Sequence, residues 1–217
     1  MAAVHILGPA FSNFVRSAML VCEEKGIDYS VGLEHSGRQY QMHSPEHLSV
    51  NPFGKVPVLF HGERKLYETV AICRYLDAGF DGPSLQPADP WQRALVDQWC
   101  SALAVQVDQA LVRRYLLEFV MPQIVGGEVS MDKVREAEPG VVNTLAILED
   151  QLRDDGYLVG DSFTLADVIA APMLDYLVGM APAQPLVNEA PKVQAYVARL
   201  KDRASTRRVL VEPVFSA

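Results

Sequence analysis

Several things are scarce or missing in this chain, and each omission narrows its class. Cysteine occurs three times in 217 residues. Cys22, Cys73 and Cys100 each stand alone in helix-like segments, without metal-type spacing, and read as reduced core thiols. Positive charge is in deficit: the net charge of −8 argues against nucleic acid and against an anionic membrane surface as partners. No apolar run approaches the roughly 18–20 residues that span a bilayer. The start, Met1-Ala2-Ala3-Val4-His5-Ile6-Leu7, has no basic segment and runs straight into a strand-like stretch, so no signal peptide is expected and a cytoplasmic location is. Repeats and low-complexity tracts are absent. What remains, 49% apolar and 21% charged, is ordinary globular composition with enough chain for a large core.

The first eighty residues alternate strand and helix. Val4–Leu7 predicts a strand ended by Gly8-Pro9. Val15, Ala18, Met19 and Cys22 then fall at i, i+3, i+4 and i+7, the stripe of an amphipathic helix ending near Lys25-Gly26. Tyr29, Val31 and Leu33 alternate as a second strand, and a polar stretch from His35 to Ser49 reads as loop with a helical piece from Pro45 to Leu48. Val56–Phe60 and Lys65–Tyr67 flank a turn as a hairpin, and Ile72, Tyr75 and Leu76 mark a third helix. The order β-α-β, (α)-β-β-α implies a small α/β layer with a mixed sheet over 1–80. Residues 81–89, rich in proline, read as a linker, and 90–217 as an all-α domain.

In that second half, Asp89-Pro90 is an N-cap followed by a first-turn proline. Trp91, Leu95, Trp99 and Ala102 are the expected buried face of the helix, with both tryptophans in the core. Pro122 with Gly126-Gly127 should interrupt, and Pro139-Gly140 should break or kink the start of the helix striped by Val141, Leu145, Leu148 and Leu152. Thr164-Leu165-Ala166-Asp167 reads as a capping box, with Phe163 and Val168 as its staple. A last helix is expected from about Pro191 to Arg203.

The most informative stretch is Asn51-Pro52-Phe53-Gly54-Lys55-Val56-Pro57-Val58-Leu59, followed by Tyr67-Glu68-Thr69. A proline at the threshold of an apolar strand removes a ladder donor. It makes sense if the Val56–Pro57 bond is cis and turns the Val56 backbone toward a peptide-like ligand. Glu68-Thr69 then opens a helix, supplying free N–H groups and a hydroxyl. Together they suit a short peptide bearing a carboxylate. Ser12, at the entry to the first helix, is by spacing equally an ordinary N-cap or a catalytic group.

The segments GPAFSNFVR, HSPEHLSVNPFGKVPVL, YETVAICRYL and FTLADVIAAPML, in this order and spacing, resemble cytosolic glutathione S-transferases. The likeness spans essentially the whole chain and is strongest to the serine-type phi and theta branches, bacterial members included. It implies a thioredoxin-like domain that binds glutathione, a helical domain that contributes to the electrophile pocket, and a homodimer. Glutathione would be a co-substrate, with no metal or redox cofactor. The implied activity is conjugation of the glutathione thiolate to small, largely apolar electrophiles. An isomerase, dehalogenase or peroxidase on the same fold, or a non-catalytic binding module, are the alternatives.

The resemblance makes Ser12 the hydroxyl that stabilises the thiolate, with Asn13 as a minor alternative at the sulfur. A thiol–disulfide oxidoreductase would carry Cys here, often Cys-x-x-Cys. It also implies that Glu68 and Thr69 hold the γ-glutamyl end, that Val56 with Pro57 pairs with the cysteinyl unit, and that His43 and Lys55 serve the glycine carboxylate. The family more often has Lys where His43 stands, Gln at Lys55, His at Met42 and Ser at Thr69. Phe11, Phe14 and residues from Arg113 to Phe119 are candidates for the electrophile pocket, expected between the domains. Arg16, a turn after Ser12, is expected in an intrachain salt bridge. Asp167 reads as a cap rather than as a catalytic group.

Overall fold

A computed structural model describes residues 3–212; Met1 and Ala2, on which the reading of the amino terminus partly rests, lie outside the described residues. The chain divides into two compact units, Met1–Gln86 and Pro87–Ala217.

In the first unit, β1 (Val4–Leu7), α1 (Asn13–Lys25), β2 (Tyr29–Gly32), β3 (Glu34–His35), β4 (Arg38–Gln39), α2 (Pro45–Val50), β5 (Val58–His61), β6 (Arg64–Tyr67) and α3 (Thr69–Gly79) follow in order. Four strands form one mixed sheet ordered β2-β1-β5-β6, with β1 parallel to β2 and antiparallel to β5. The helical stripe works as the periodicity implies: Val15, Ala18 and Cys22 are fully buried, and Gly26 closes α1 in a left-handed conformation that glycine adopts without steric cost. α1 packs against α3, and a buried ion pair from Lys25 Nζ to Asp77 Oδ1, 3.2 Å, joins their C-terminal turns. Lys25 also donates to the Pro83 carbonyl, and Asp77 accepts from Leu85 N–H. These bonds bring residues 83–85, expected in the linker, onto the first unit.

One stretch read as loop contains a small hairpin. β3 and β4 pair Glu34 with Gln39 and His35 with Arg38. The His35 ring stacks on His5 of β1 at 4.8 Å and on Phe60 of β5 at 4.3 Å between centroids. Two-residue strands are too short to show alternation, so the pattern gives no signal.

In the second unit, α4 (Pro90–Ala102), a π-wound segment (Leu103–Leu116) and α5 (Leu117–Val125) form one unbroken helical run. α6 (Met131–Gln151), α7 (Leu165–Gly179), a short 3-10 turn, α8 (Gln184–Val187), α9 (Pro191–Lys201) and α10 (Ala204–Val209) follow. Asp89 caps α4 by accepting from Gln92 N–H at 2.9 Å. The buried face of the long run is not the one expected. Val96, Cys100, Leu103, Val107 and Leu111 are buried, whereas Trp91 is 69% exposed and Trp99 half-buried. Both stripes have helical spacing, and the interlocking aliphatic one is the one covered.

The prolines are also corrected. Pro122 lies inside α5, which ends only at Gly126, and Pro139 lies inside α6, which begins eight residues earlier at Met131. Pro139 and Arg135, whose carbonyl loses a partner there, are both on the exposed face, where water can serve it. Gly140 brings the helix close to the π-wound segment: a Cβ there would lie 4.0 Å from Ala110 Cβ. The stripe Val141, Leu145, Leu148 and Leu152 is buried as expected.

α7 is the centre of this unit, with eleven of its fifteen residues buried. Its capping box is present, and Asp167 does more than cap. Oδ2 accepts from Thr164 N–H and Oγ1, while Oδ1 accepts from Leu158 N–H and, at 2.6 Å, from Tyr196 O–H of α9. Burial pushes the Asp167 carboxyl up, and these four donors pull it back. Phe163 and Val168 are both buried. No single helix among the described residues is long and apolar enough to cross a membrane.

Candidate glutathione site

The sheet register assembles the candidate site in the first unit. Leu7 pairs with Val58, and Val58 with Tyr67, so the C-terminal ends of β1 and β6 and the N-terminal end of β5 lie side by side. Ser12 follows the end of β1 by five residues, Val56-Pro57 precedes β5, and Glu68-Thr69 follows β6. Three segments far apart in sequence thus open on one sheet end. The Val56–Pro57 peptide is cis, and Pro57 is buried while Val56 is half-buried. Gly8 allows the approach: with φ 144°, it sits where a Cβ would fall 2.6 Å from Val15 Cγ2 and 3.0 Å from Val56 Cβ. No other residue lets the β1–α1 turn lie against Val56.

Ser12 occupies the N-cap position of α1, with extended backbone (φ −64°, ψ 129°) and its carbonyl accepting from Arg16 N–H. Its hydroxyl makes no capping hydrogen bond. The adjoining N–H groups and the helix dipole favour negative charge at this point. Asn13 is buried, and Phe11 and Phe14 are half-buried around the same turn. Arg16 is almost fully buried and donates from Nε to the Ala10 carbonyl, 3.1 Å, bracing the turn that leads to Ser12.

Glu68 stands at the N-cap of α3 with φ 74° and ψ 114°, outside the regions open to ordinary side chains. Such conformations cost about 1–3 kcal/mol and gather at functional sites. Its side chain is exposed and makes no capping bond, while Thr69 is buried at the first helical position. The sequence identifies the Glu-Thr pair but carries no sign of this backbone strain.

His43 lies against the turn at Gly54, the residue that precedes Lys55. A Cβ on Gly54 would lie 2.7 Å from His43 Nδ1, so the imidazole rests on a glycine surface. Both side chains are exposed. Beneath them lie two residues to which the sequence reading assigned no role. Fully buried His47 and nearly buried Asn51 both bond the Lys55 carbonyl, His47 through Nε2 at 3.1 Å and Asn51 through Nδ2 at 2.8 Å. A histidine inside a six-residue helix has no periodic context, and the Asn-Pro turn was the available clue.

The remaining candidates lie elsewhere. In the second unit Arg113 donates to buried Asp108 at 2.8 Å, and Phe119 packs edge-on against Tyr115. All three cysteines are buried and free of disulfides, and burial pushes the Cys22 thiol up to about 12, which leaves it without nucleophilic character near neutrality. Among the described residues no cluster of His, Cys, Asp or Glu could hold a metal.

Residues 11–78 match the model of the glutathione S-transferase N-terminal domain, and residues 131–199 that of the C-terminal domain. Glutathione S-transferase F10 of Arabidopsis thaliana is 31% identical over 208 residues, covering 94% of each chain. The chain belongs to the glutathione S-transferase family. Among solved structures, the theta-class glutathione S-transferase of Xanthomonas axonopodis pv. citri with glutathione bound superposes with a TM-score of 0.83 at 27% identity, covering 98% of this chain and 99% of that one. Glutathione S-transferase I from mais, in complex with an atrazine glutathione conjugate, gives a TM-score of 0.81 at 29% identity over 96% of each chain. The transferase fold, a thioredoxin-like α/β unit and a helical unit, is therefore the family's own, and the chain is an enzyme of the glutathione transferase class.

Proposed function

We propose that this glutathione transferase activates the glutathione thiol through Ser12 and conjugates it to small, largely apolar electrophiles. The observation that carries the proposal is the Ser12 hydroxyl: it stands at the positive end of α1 and makes no capping bond. A thiol of pKa about 8.5 is only a few per cent thiolate near neutrality. Lowering that value by about two units takes about 2.7 kcal/mol of preferential anion stabilisation. One hydroxyl bond to a charged acceptor supplies about 1.5–3 kcal/mol and the helix terminus a further fraction, so no separate base is required.

In this reading the peptide lies along the shared sheet end. Val56 pairs through its backbone with the cysteinyl unit, as a strand added to an edge. Glu68 takes the γ-glutamyl ammonium and Thr69, with the α3 N–H groups, its carboxylate. His43 and Lys55 take the glycine carboxylate. Phe11 and Phe14 offer apolar surface to the electrophile near the sulfur. Asn13 is a weaker candidate than Ser12 because its side chain is buried. A cytoplasmic homodimer is the expected working form, and the mass of the free protein in solution tests it.

The deciding experiment is a pH titration of thiolate absorbance for bound glutathione. The wild type should titrate below the free thiol and Ser12→Ala should not; an unchanged titration in the variant overturns the role of Ser12. Turnover of a panel of halogenated aromatics, epoxides, isothiocyanates and hydroperoxides then defines the electrophile class.

A further inference from the structure

We propose that His47 is a positioning residue for the glycine end of glutathione, holding His43 and Lys55 in place from beneath the binding surface. The inference rests on the glutathione reading of the site and extends it to a residue that the peptide never touches. His47 is fully buried, yet both its ring nitrogens are engaged. Nδ1 accepts from His43 N–H at 3.1 Å, and Nε2 faces the Lys55 carbonyl at 3.1 Å. A backbone N–H can only donate and a carbonyl only accept. The ring is therefore neutral with its proton on Nε2, as assigned from its partners.

Each bond restrains a different part of the surface. His43 has φ 65°, a left-handed conformation that costs a non-glycine residue about 1–2 kcal/mol. The bond to Nδ1 holds that conformation and with it the ring over Gly54. The Nε2 bond holds the Lys55 carbonyl on the side of His43 and with it the placement of the Lys55 side chain, while Asn51, bonded to the same carbonyl, keeps the peptide plane that leads into Val56 in place without His47. Ser44 Oγ accepts from His47 N–H at 3.2 Å, which anchors the start of α2 in the same network. A buried polar network with all members paired is rigid, and the loss of one member leaves donors and acceptors without partners.

The test compares two thiol peptides, glutathione and γ-glutamylcysteine, which differ only by the glycine. In His47→Leu, KM for glutathione should rise at least about fivefold, with kcat within about twofold of wild type and the thiolate titration unmoved. KM for γ-glutamylcysteine should change by less than about twofold, because that peptide has no glycine end to misplace. His47→Gln keeps an N–H for the Lys55 carbonyl and should recover part of the loss; it also carries the comparison if the leucine variant does not fold. Equal rises with both peptides would mean a general structural role and would overturn the proposal, as would no change with glutathione. A wild type that uses neither peptide and is not retained on immobilised glutathione would overturn the glutathione reading itself, and this inference with it.

Discussion

The cap of α7 in the helical unit and the caps of α1 and α3 in the α/β unit treat their polar groups in opposite ways. In the helical unit the prominent buried polar group, Asp167, faces inward and accepts from four donors on three segments. In the α/β unit the polar groups at the sheet end, the hydroxyl of Ser12 and the side chain of Glu68, make no capping bonds, and the backbone at Glu68 is strained. All the non-glycine residues with positive φ among the described residues, Ser36, His43 and Glu68, belong to the first unit. The contrast separates two uses of the same chemistry. A helix cap that is satisfied internally stabilises the fold, and one left open at the sheet end is available to a ligand.

The largest test of that contrast is a pair of alanine variants. Asp167→Ala should cost about 3–5 kcal/mol of stability in urea unfolding, because it leaves four donors without their acceptor. Ser12→Ala should cost less than about 0.5 kcal/mol in the same assay, since no capping bond is lost, while lowering turnover about a hundredfold. Similar stability losses in the two variants would erase the distinction.

A smaller effect comes from Glu68→Gly. Glycine accepts the φ of 74° that strains glutamate, so folding stability should hold or rise by up to about 1 kcal/mol. KM for glutathione should rise about tenfold through loss of the carboxylate. Thermal melts and steady-state kinetics on the same preparation check both, and a clear loss of stability would remove the argument from strain.

The smallest concerns His5. Burial lowers its pKa, with the neighbouring His35 adding to the effect. The folded state therefore binds the proton less readily than the unfolded chain, whose histidine titrates near 6.5. The stabilising contribution of the neutral ring is full above that value and is lost as pH falls below it. His5→Phe should flatten the decline in melting temperature between about pH 6.5 and 5. An unchanged slope in the variant would assign that decline to other groups.

Much of the architecture was legible because its signals are local. The Val15–Ala18–Cys22 stripe, the Asp89-Pro90 start and the Thr164–Asp167 box each act within one or two turns of chain. Errors arose where a local rule met a tertiary circumstance. Pro139 breaks a helix when its neighbours are buried, but here the broken bond faces water and Gly140 packs against Ala110. Trp91 and Val96 both lie on helical stripes, and spacing alone does not say which stripe is covered. At the candidate site the motif residues were readable as a set, whereas His47 and Asn51 were not, because their roles are hydrogen bonds made across a turn.

The sequence by itself determined the order of the longer strands and helices, several caps, and the family motifs that name Ser12, Val56-Pro57 and Glu68-Thr69. The tertiary structure decided that these three segments meet, because only the pairing of Leu7 with Val58 and of Val58 with Tyr67 puts their ends together. It also decided which hydroxyl is left open, which backbone is strained and which histidine lies underneath. Strand register, side-chain partnership and burial are properties of contacts between distant residues, and a one-dimensional pattern does not contain them.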